Sequence, residues 1–251
     1  VLYRGEYDQL FSDLPAVFLR RLPYLTHVLF PDEQDVDSLA EYPGVRAVFL
    51  PVFVNRQFVV ESPPTPAHDR ATFLGRLLHD RKTLLEHPAL ADMVEFVDAI
   101  GEEEDYRLRH FDAISRFFSA STDSVPRDQT RLDFLVGGLA AQVEALRSQK
   151  TYSHQLMMRA VQQGIANLNL RSFSALFSSR VVETMAAGQC VISYAVPDRP
   201  RTNALFEDGQ EILLFDDQNP ESLADKIQFL RSHPAERAAL IRRSQAKVRA
   251  F

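Results

Sequence analysis

Residues 178–193 read SSRVVETMAAGQCVIS, and the way this stretch divides decides the fold. Ser178 and Ser179 are suited to cap a helix, and residues 178–187 form its body. Gly188 ends it, because glycine tolerates the left-handed backbone that helices often need at their stop. Residues 190–196 (CVISYAV) are then an apolar run of strand length, closed by Pro197. Just upstream, residues 164–170 (GIANLNL) read as another strand. Strand, helix and strand in this order build a parallel βαβ unit.

The pattern continues downstream. Residues 203–206 predict a short helix before the turn at Asp208-Gly209, and residues 211–215 (EILLF) a strand. Asn219 is placed to cap a helix with Pro220 at its first position, where proline loses no needed hydrogen bond. Leu223, Ile227 and Leu230 share one face of that helix. Pro234 opens a final amphipathic helix. The βαβαβα order is the doubly wound pattern, in which ligands bind at the carboxyl ends of the strands.

Upstream the signals are more mixed. Residues 14–22 predict a short helix, 26–30 (THVLF) a strand, 33–41 a helix and 45–53 (VRAVFLPVF) a strand broken by Pro51. Residues 61–69 (ESPPTPAHD) are polar with three prolines and read as a linker. An apolar run follows at 71–78, then a helix over 80–86. Residues 88–165 read mostly as helix, with candidates at 93–99, 106–120 and 131–148. Residues 119–128 have a loop composition. The EEED run at 102–105 reads as solvated surface, since consecutive residues do not share one helix face.

Bulk properties narrow the function classes. A net charge of −6 argues against nucleic acid as a partner. No apolar run reaches the roughly 20 residues of a membrane-spanning helix. Cys190 is the only cysteine, which excludes an internal disulfide and fits a reducing, cytoplasmic setting. Its apolar neighbours mark it as a core thiol rather than a nucleophile. No His, Asp or Cys spacing indicates a metal site. Neither GxGxxG nor a P-loop is present, which disfavours dinucleotide oxidoreductases and kinases. The chain opens at Val1 with residues that read as the middle of a domain, so a piece of a longer protein is expected.

Four segments together resemble the donor site of retaining GT-B glycosyltransferases, nearest to the bacterial spore-maturation-protein CgeB-like branch. These are IANLNL at 165–170, RVVE at 180–183, MAAG at 185–188 and CVIS at 190–193. LFEDGQEIL at 205–213 resembles a further segment of that family. So do FLGRL at 73–77 with Arg81-Lys82, and VFLP at 48–51 with Asn55. The resemblance implies an α/β fold of GT-B type, a Rossmann-like donor domain with a parallel sheet plus a partial N-terminal Rossmann-like lobe. Residues 1–62 would end the acceptor-side lobe, 63–70 would link, and 71–251 would form the donor domain with a helical middle. The last helix would cross back toward the first lobe.

The implied activity is retaining, metal-independent transfer of a sugar from a nucleoside-diphosphate sugar, with UDP as the default nucleotide and no cofactor. The acceptor, whether glycan, protein or small molecule, is open. Gly75, Arg76, Arg81, Lys82, Asn169, Ser179, Arg180 and Glu183 become the donor-binding candidates, with the arginines on the diphosphate and Glu183 on the ribose hydroxyls. A carboxylate accepts from two vicinal hydroxyls at once. Arg180 in the first turn of its helix opposes the helix dipole, which favours an anion-facing role. Simpler readings stand beside these. Arg180 and Glu183 are spaced as a helix-surface ion pair. Asn167 and Asn169 alternate with leucines as one polar strand face. Arg201 and Asn203 follow a strand end and are weaker contact candidates. No catalytic base is identifiable. Many related enzymes carry an acid eight positions before the glutamate. Here that position is Ala175, so a non-catalytic binding or scaffold module is the main alternative. A sugar-nucleotide epimerase of the same architecture is a third option.

Overall fold

A computed structural model describes residues 20–40, 42, 44–54, 56–75, 77, 79–97, 129–171 and 176–250. Two parallel sheets organise them. The smaller pairs β1 (His27–Phe30) with β2 (Arg46–Phe49), in the register His27 to Arg46. Helix α1 (Glu33–Ser38) joins the two strands. Asp32 caps it by accepting from Gln34 N at 3.0 Å. Leu22, Phe30 and Leu39 form the small core beneath.

The larger sheet has the order β4-β3-β5-β6-β7, with every pairing parallel. Its strands are β3 (Ala71–Leu74), β4 (Val94–Val97), β5 (Ala166–Asn169), β6 (Cys190–Tyr194) and β7 (Leu213–Phe215). The helices are α2 (His79–Leu85), α3 (Gln129–Val161), α4 (Ser179–Ala186), α5 (Pro200–Asn203), α6 (Pro220–Ser232) and α7 (Pro234–Ala250). β3, β5 and β6 are buried along their whole length, as strands covered on both faces must be. Leu223, Ile227 and Leu230 lie on the buried face of α6, as their spacing predicts. Asn219 caps that helix through Ser222 N. At the outer edge, the Asp208 carboxylate accepts from Leu214 N at 2.8 Å and so occupies a backbone donor of β7.

Two sequence expectations need correction. Residues 93–99 are not a helix: VEFV at Val94–Val97 is strand β4, paired with β3 from Ala71 to Leu74. A four-residue apolar run is too short for periodicity to separate helix from strand. The short helix expected at 203–206 ends at Asn203, which bonds back to Val196 N at 3.0 Å and to Val196 O at 2.7 Å. Proline at its first position moves the start to Pro200. The helix expected at 131–148 belongs to the longer α3. The readings at 102–105, 106–120 and 119–128 lie outside the described residues.

The proline-rich connection is fastened to the larger unit. Val60 N donates to Ala186 O at 2.9 Å, and Val60 O accepts from Gln245 in α7 at 3.0 Å. Gly188 stops α4 with φ +74°, and a Cβ there would sit 3.0 Å from Pro63 Cα. Ala67 N donates to Gln163 O at 2.8 Å.

Cys190 is buried, as its apolar surroundings predict, and burial pushes its thiol up to about 12. The thiolate is the reactive form. A thiol reagent at pH 8 is therefore expected to leave the native chain unlabelled and to label it once it unfolds. Rapid labelling under native conditions would contradict this burial.

Candidate functional site

The carboxyl ends of β3, β5 and β6 carry the site. β3 ends at Leu74, whose carbonyl accepts from Nη1 of Arg180, the second residue of α4. Gly75 follows, and a Cβ there would lie 3.2 Å from Arg180 Nη1 and 3.0 Å from the Phe73 ring. Glycine at this position lets the guanidinium approach the strand end.

Arg81 comes to the same place from α2. Its Nε donates to Arg171 O at 2.7 Å and its Nη2 to Leu170 O at 3.2 Å, just past the end of β5. Its guanidinium lies over the Phe73 ring, 5.6 Å from the centroid, a cation–π contact. Burial, and then the positive charge of Arg180, hold its pKa below the usual arginine value. Two cations therefore meet where backbone carbonyls end the strands. Like charges so placed repel, and an anion between them relieves that repulsion.

A crossbar of neutral groups lies beside them. Ser178 Oγ donates to Asn169 Oδ1 at 2.7 Å, and Asn169 Nδ2 donates to Ser193 Oγ at 2.8 Å. Ser178 holds the N-cap position of α4 but makes no side-chain cap, because its hydroxyl is spent on Asn169. Asn167 bonds to Thr184 Oγ1 at 3.0 Å and Thr72 Oγ1 at 3.4 Å. The polar face of β5 is thus internal, and its amides tie β5 to its neighbours as buried polar groups require.

The other candidates are less concentrated. Ser179 is exposed and donates to Glu183 Oε2 at 3.3 Å, one turn along α4. Lys82 lies on the exposed side of α2 and pairs with Glu86 at 3.7 Å. Arg201 and Asn203 are engaged elsewhere, with α1 and with Val196. Arg76, Asn55 and Ala175 lie outside the described residues. The structure therefore brings together Gly75, Arg81, Arg180 and Asn169.

A cleft of ≈ 460 Å³ opens beside Arg81, lined also by Thr83, His87, Arg171, Asp217 and Gln218. Arg171 and Asp217 pair across part of it at 3.5 Å. A larger cleft of ≈ 640 Å³ lies between α6 and α7, around Phe229 and Leu240, and no arginine lines it. The smaller one is the better candidate, because it lies at the carboxyl ends of the strands and takes in Arg81, although Asp80 and Asp217 balance its two arginines.

Tyr194 was missed from the sequence. It is the last residue of β6, and its hydroxyl donates to Leu176 O at 3.4 Å. Burial pushes its phenol up to about 12, against the opposing charge of Arg171. Its place at a strand end was the available signal. In the sequence it merges with an apolar run.

These features match known proteins at the level of fold and family. Over 99% of its length the chain resembles a sucrose-phosphate synthase from Thermosynechococcus elongatus, with TM-score 0.57, 16% identity and 59% of that chain covered. It also resembles Anabaena HepE, solved in complex with UDP and glucose: TM-score 0.55, 12% identity, 94% of this chain and 62% of that one. For a glycosyltransferase from Rickettsia africae the TM-score is 0.51 at 12% identity, covering 99% of this chain and 63% of the other. The chain spans about three fifths of the length of each. Curated protein sequences give no significant match. The fold is the GT-B type of α/β architecture. A family described as glycosyl transferase-like matches residues 116–251, more than half of the chain, and the chain belongs to that family. Among the described residues, no helix is long and apolar enough to cross a membrane.

Proposed function

We propose that the chain binds the nucleoside-diphosphate part of a sugar donor and serves a glycosyltransferase that works with retention and without an obligatory metal. The observation that carries this reading is the meeting of Arg81 and Arg180 beside Gly75 at the ends of β3 and β5. A departing nucleoside diphosphate gains negative charge, and fixed guanidiniums stabilise it without reorganising. Glu183 takes the ribose hydroxyls in this reading, with Ser179 holding one carboxylate oxygen. UDP is the default nucleotide, supported by the UDP in the HepE structure. Kinship with the CgeB-like branch and a cytoplasmic setting belong to the same proposal. The acceptor is not assigned.

Calorimetric titration with UDP, GDP and ADP sugars tests this reading. At least one is expected to bind, and Glu183→Ala to weaken it. No binding at millimolar concentration sinks the proposal. A second reading, a binding module without turnover, is favoured by Ala175 standing where related enzymes carry an acid. Nucleotide binding without donor hydrolysis or transfer would decide for it.

A further inference from the structure

The larger of the two clefts, ≈ 640 Å³, runs between α6 and α7 beside β7, at the outer edge of the larger sheet. That is a size at which folded proteins hold ligands. Its floor is apolar. Leu213 of β7 and Leu240 of α7 are buried beneath it, and Phe229 of α6 is 37% exposed at its rim. His233 stacks on the Phe229 ring with centroids 4.7 Å apart, and its Nδ1 lies 3.0 Å from Phe229 O, which anchors the imidazole in turn.

A single exposed aromatic is ordinary. The charge around this one is not. Glu221 and Asp225 of α6 and Glu236 of α7 line the same cleft, against the one ammonium of Lys226. Glu221 and Asp225 stand one turn apart, where like charges repel. Glu221 and Glu236 occupy first helical turns, where an acid complements the helix dipole. Asp225 lies a turn further on and gains little from it. Among the described residues, no ion pair or side-chain hydrogen bond engages any of the three carboxylates, not even with Lys226. Negative charge is thus gathered around an apolar floor, and the complementary partner is a cation with an apolar centre.

We propose that this groove docks a basic peptide segment in which one large apolar side chain is flanked by arginines or lysines. The apolar side chain rests on Phe229 and Leu240. The flanking cations meet Glu221 and Asp225 on one side and Glu236 on the other, as charge-assisted hydrogen bonds. From Glu221 to Phe229 the helix runs about 12 Å, the reach of roughly four extended residues. The same carboxylates repel nucleic acid and anionic lipid. The loop between β7 and α6 is shared with the arginine cleft, since Asn219 lines the groove while Gln218 and Pro220 line that cleft. A docked segment therefore sits beside the candidate site, whichever ligand the arginines take.

The test is fluorescence anisotropy of a labelled peptide, leucine between paired arginines, titrated with the full chain. Saturable binding tighter than millimolar is expected, weakening as salt is added. Glycine in place of the leucine, or glutamates in place of the arginines, is expected to abolish it. Asp225→Lys and Phe229→Ser are each expected to weaken it about tenfold, the size of one charge-assisted bond or one buried side chain. Both positions are exposed, so circular dichroism is expected to be unchanged. Glu144→Lys makes the same charge change on the exposed surface of α3 and is expected to bind like the native chain. No binding at millimolar peptide overturns the proposal, and so does native affinity in Asp225→Lys. Equal weakening by Glu144→Lys overturns it too, leaving only the general attraction of a chain with net charge −6. A second measurement needs no variant and serves if one fails to fold. The peptide is expected to move the amide resonances of residues 225–229, and shifts confined to other parts of the chain overturn the proposal.

Discussion

Arg81→Ala is expected to weaken nucleotide binding about 10- to 100-fold. Hydrogen bonds to charged groups are worth about 1.5–3 kcal/mol, and about 1.4 kcal/mol is a factor of ten. Arg81 also holds the carbonyls of Leu170 and Arg171, so the variant is expected to melt somewhat earlier as well. Binding is therefore read well below the melting temperature, alongside the loss of ligand-induced thermal stabilisation. Lysine is not expected to rescue it. An ammonium lacks the planar fork that reaches two carbonyls while facing an anion. Lys82→Ala is the control, expected to bind like the native chain, since its ammonium lies on the exposed side of α2. Native affinity in Arg81→Ala would leave the arginine a purely structural staple.

Gly164→Ala is expected to be the most damaging single-methyl addition in the larger sheet. The added Cβ would lie 2.4 Å from Arg70 O, 2.9 Å from Thr72 Cγ2 and 3.1 Å from His68 Cε1. The nearest atom is backbone, and it already accepts from Ile165 N at 2.9 Å, so it cannot swing aside without loosening β5 from β3. Overpacking costs about 1–3 kcal/mol, and a backbone clash of this size belongs at the upper end. For a domain of this size that is a fall of roughly 6–12 °C in Tm. Chemical and thermal unfolding both measure it. A change below about 0.5 kcal/mol, the scatter of harmless surface substitutions, would show that the turn relaxes freely.

The sequence was most legible where several independent signals fell on the same residues. Gly188 and Asn219 mark helix ends by backbone and capping chemistry, and both hold in the structure. The buried stripe of α6 follows from spacing alone. β4 was not legible, because four residues show no period and the surrounding region reads as helix. The site divided in the same way. Arg180 and Gly75 were recoverable from a motif, and Arg180 bonds the carbonyl of Leu74 just before that glycine. The link from Arg81 to Arg171 spans ninety residues and has no local signature. Asn169 was placed in the right region, but its amide serves Ser178 and Ser193, a partnership only the folded strands reveal. Tyr194 was hidden because a strand-ending tyrosine looks like core until its neighbours are known.

Val60 carries a mechanical consequence. Its N–H is tied to the end of α4 and its carbonyl to Gln245 and Arg249 of α7. Pro63 beyond it lies against Gly188, so this stretch packs with the larger unit. Val52, Val54 and Val59 also pack against the core of the larger sheet, so the chain joins that unit within a few residues of leaving β2. Arg199 and Asp32 add a side-chain tie between the same two units, so the backbone is not their only connection.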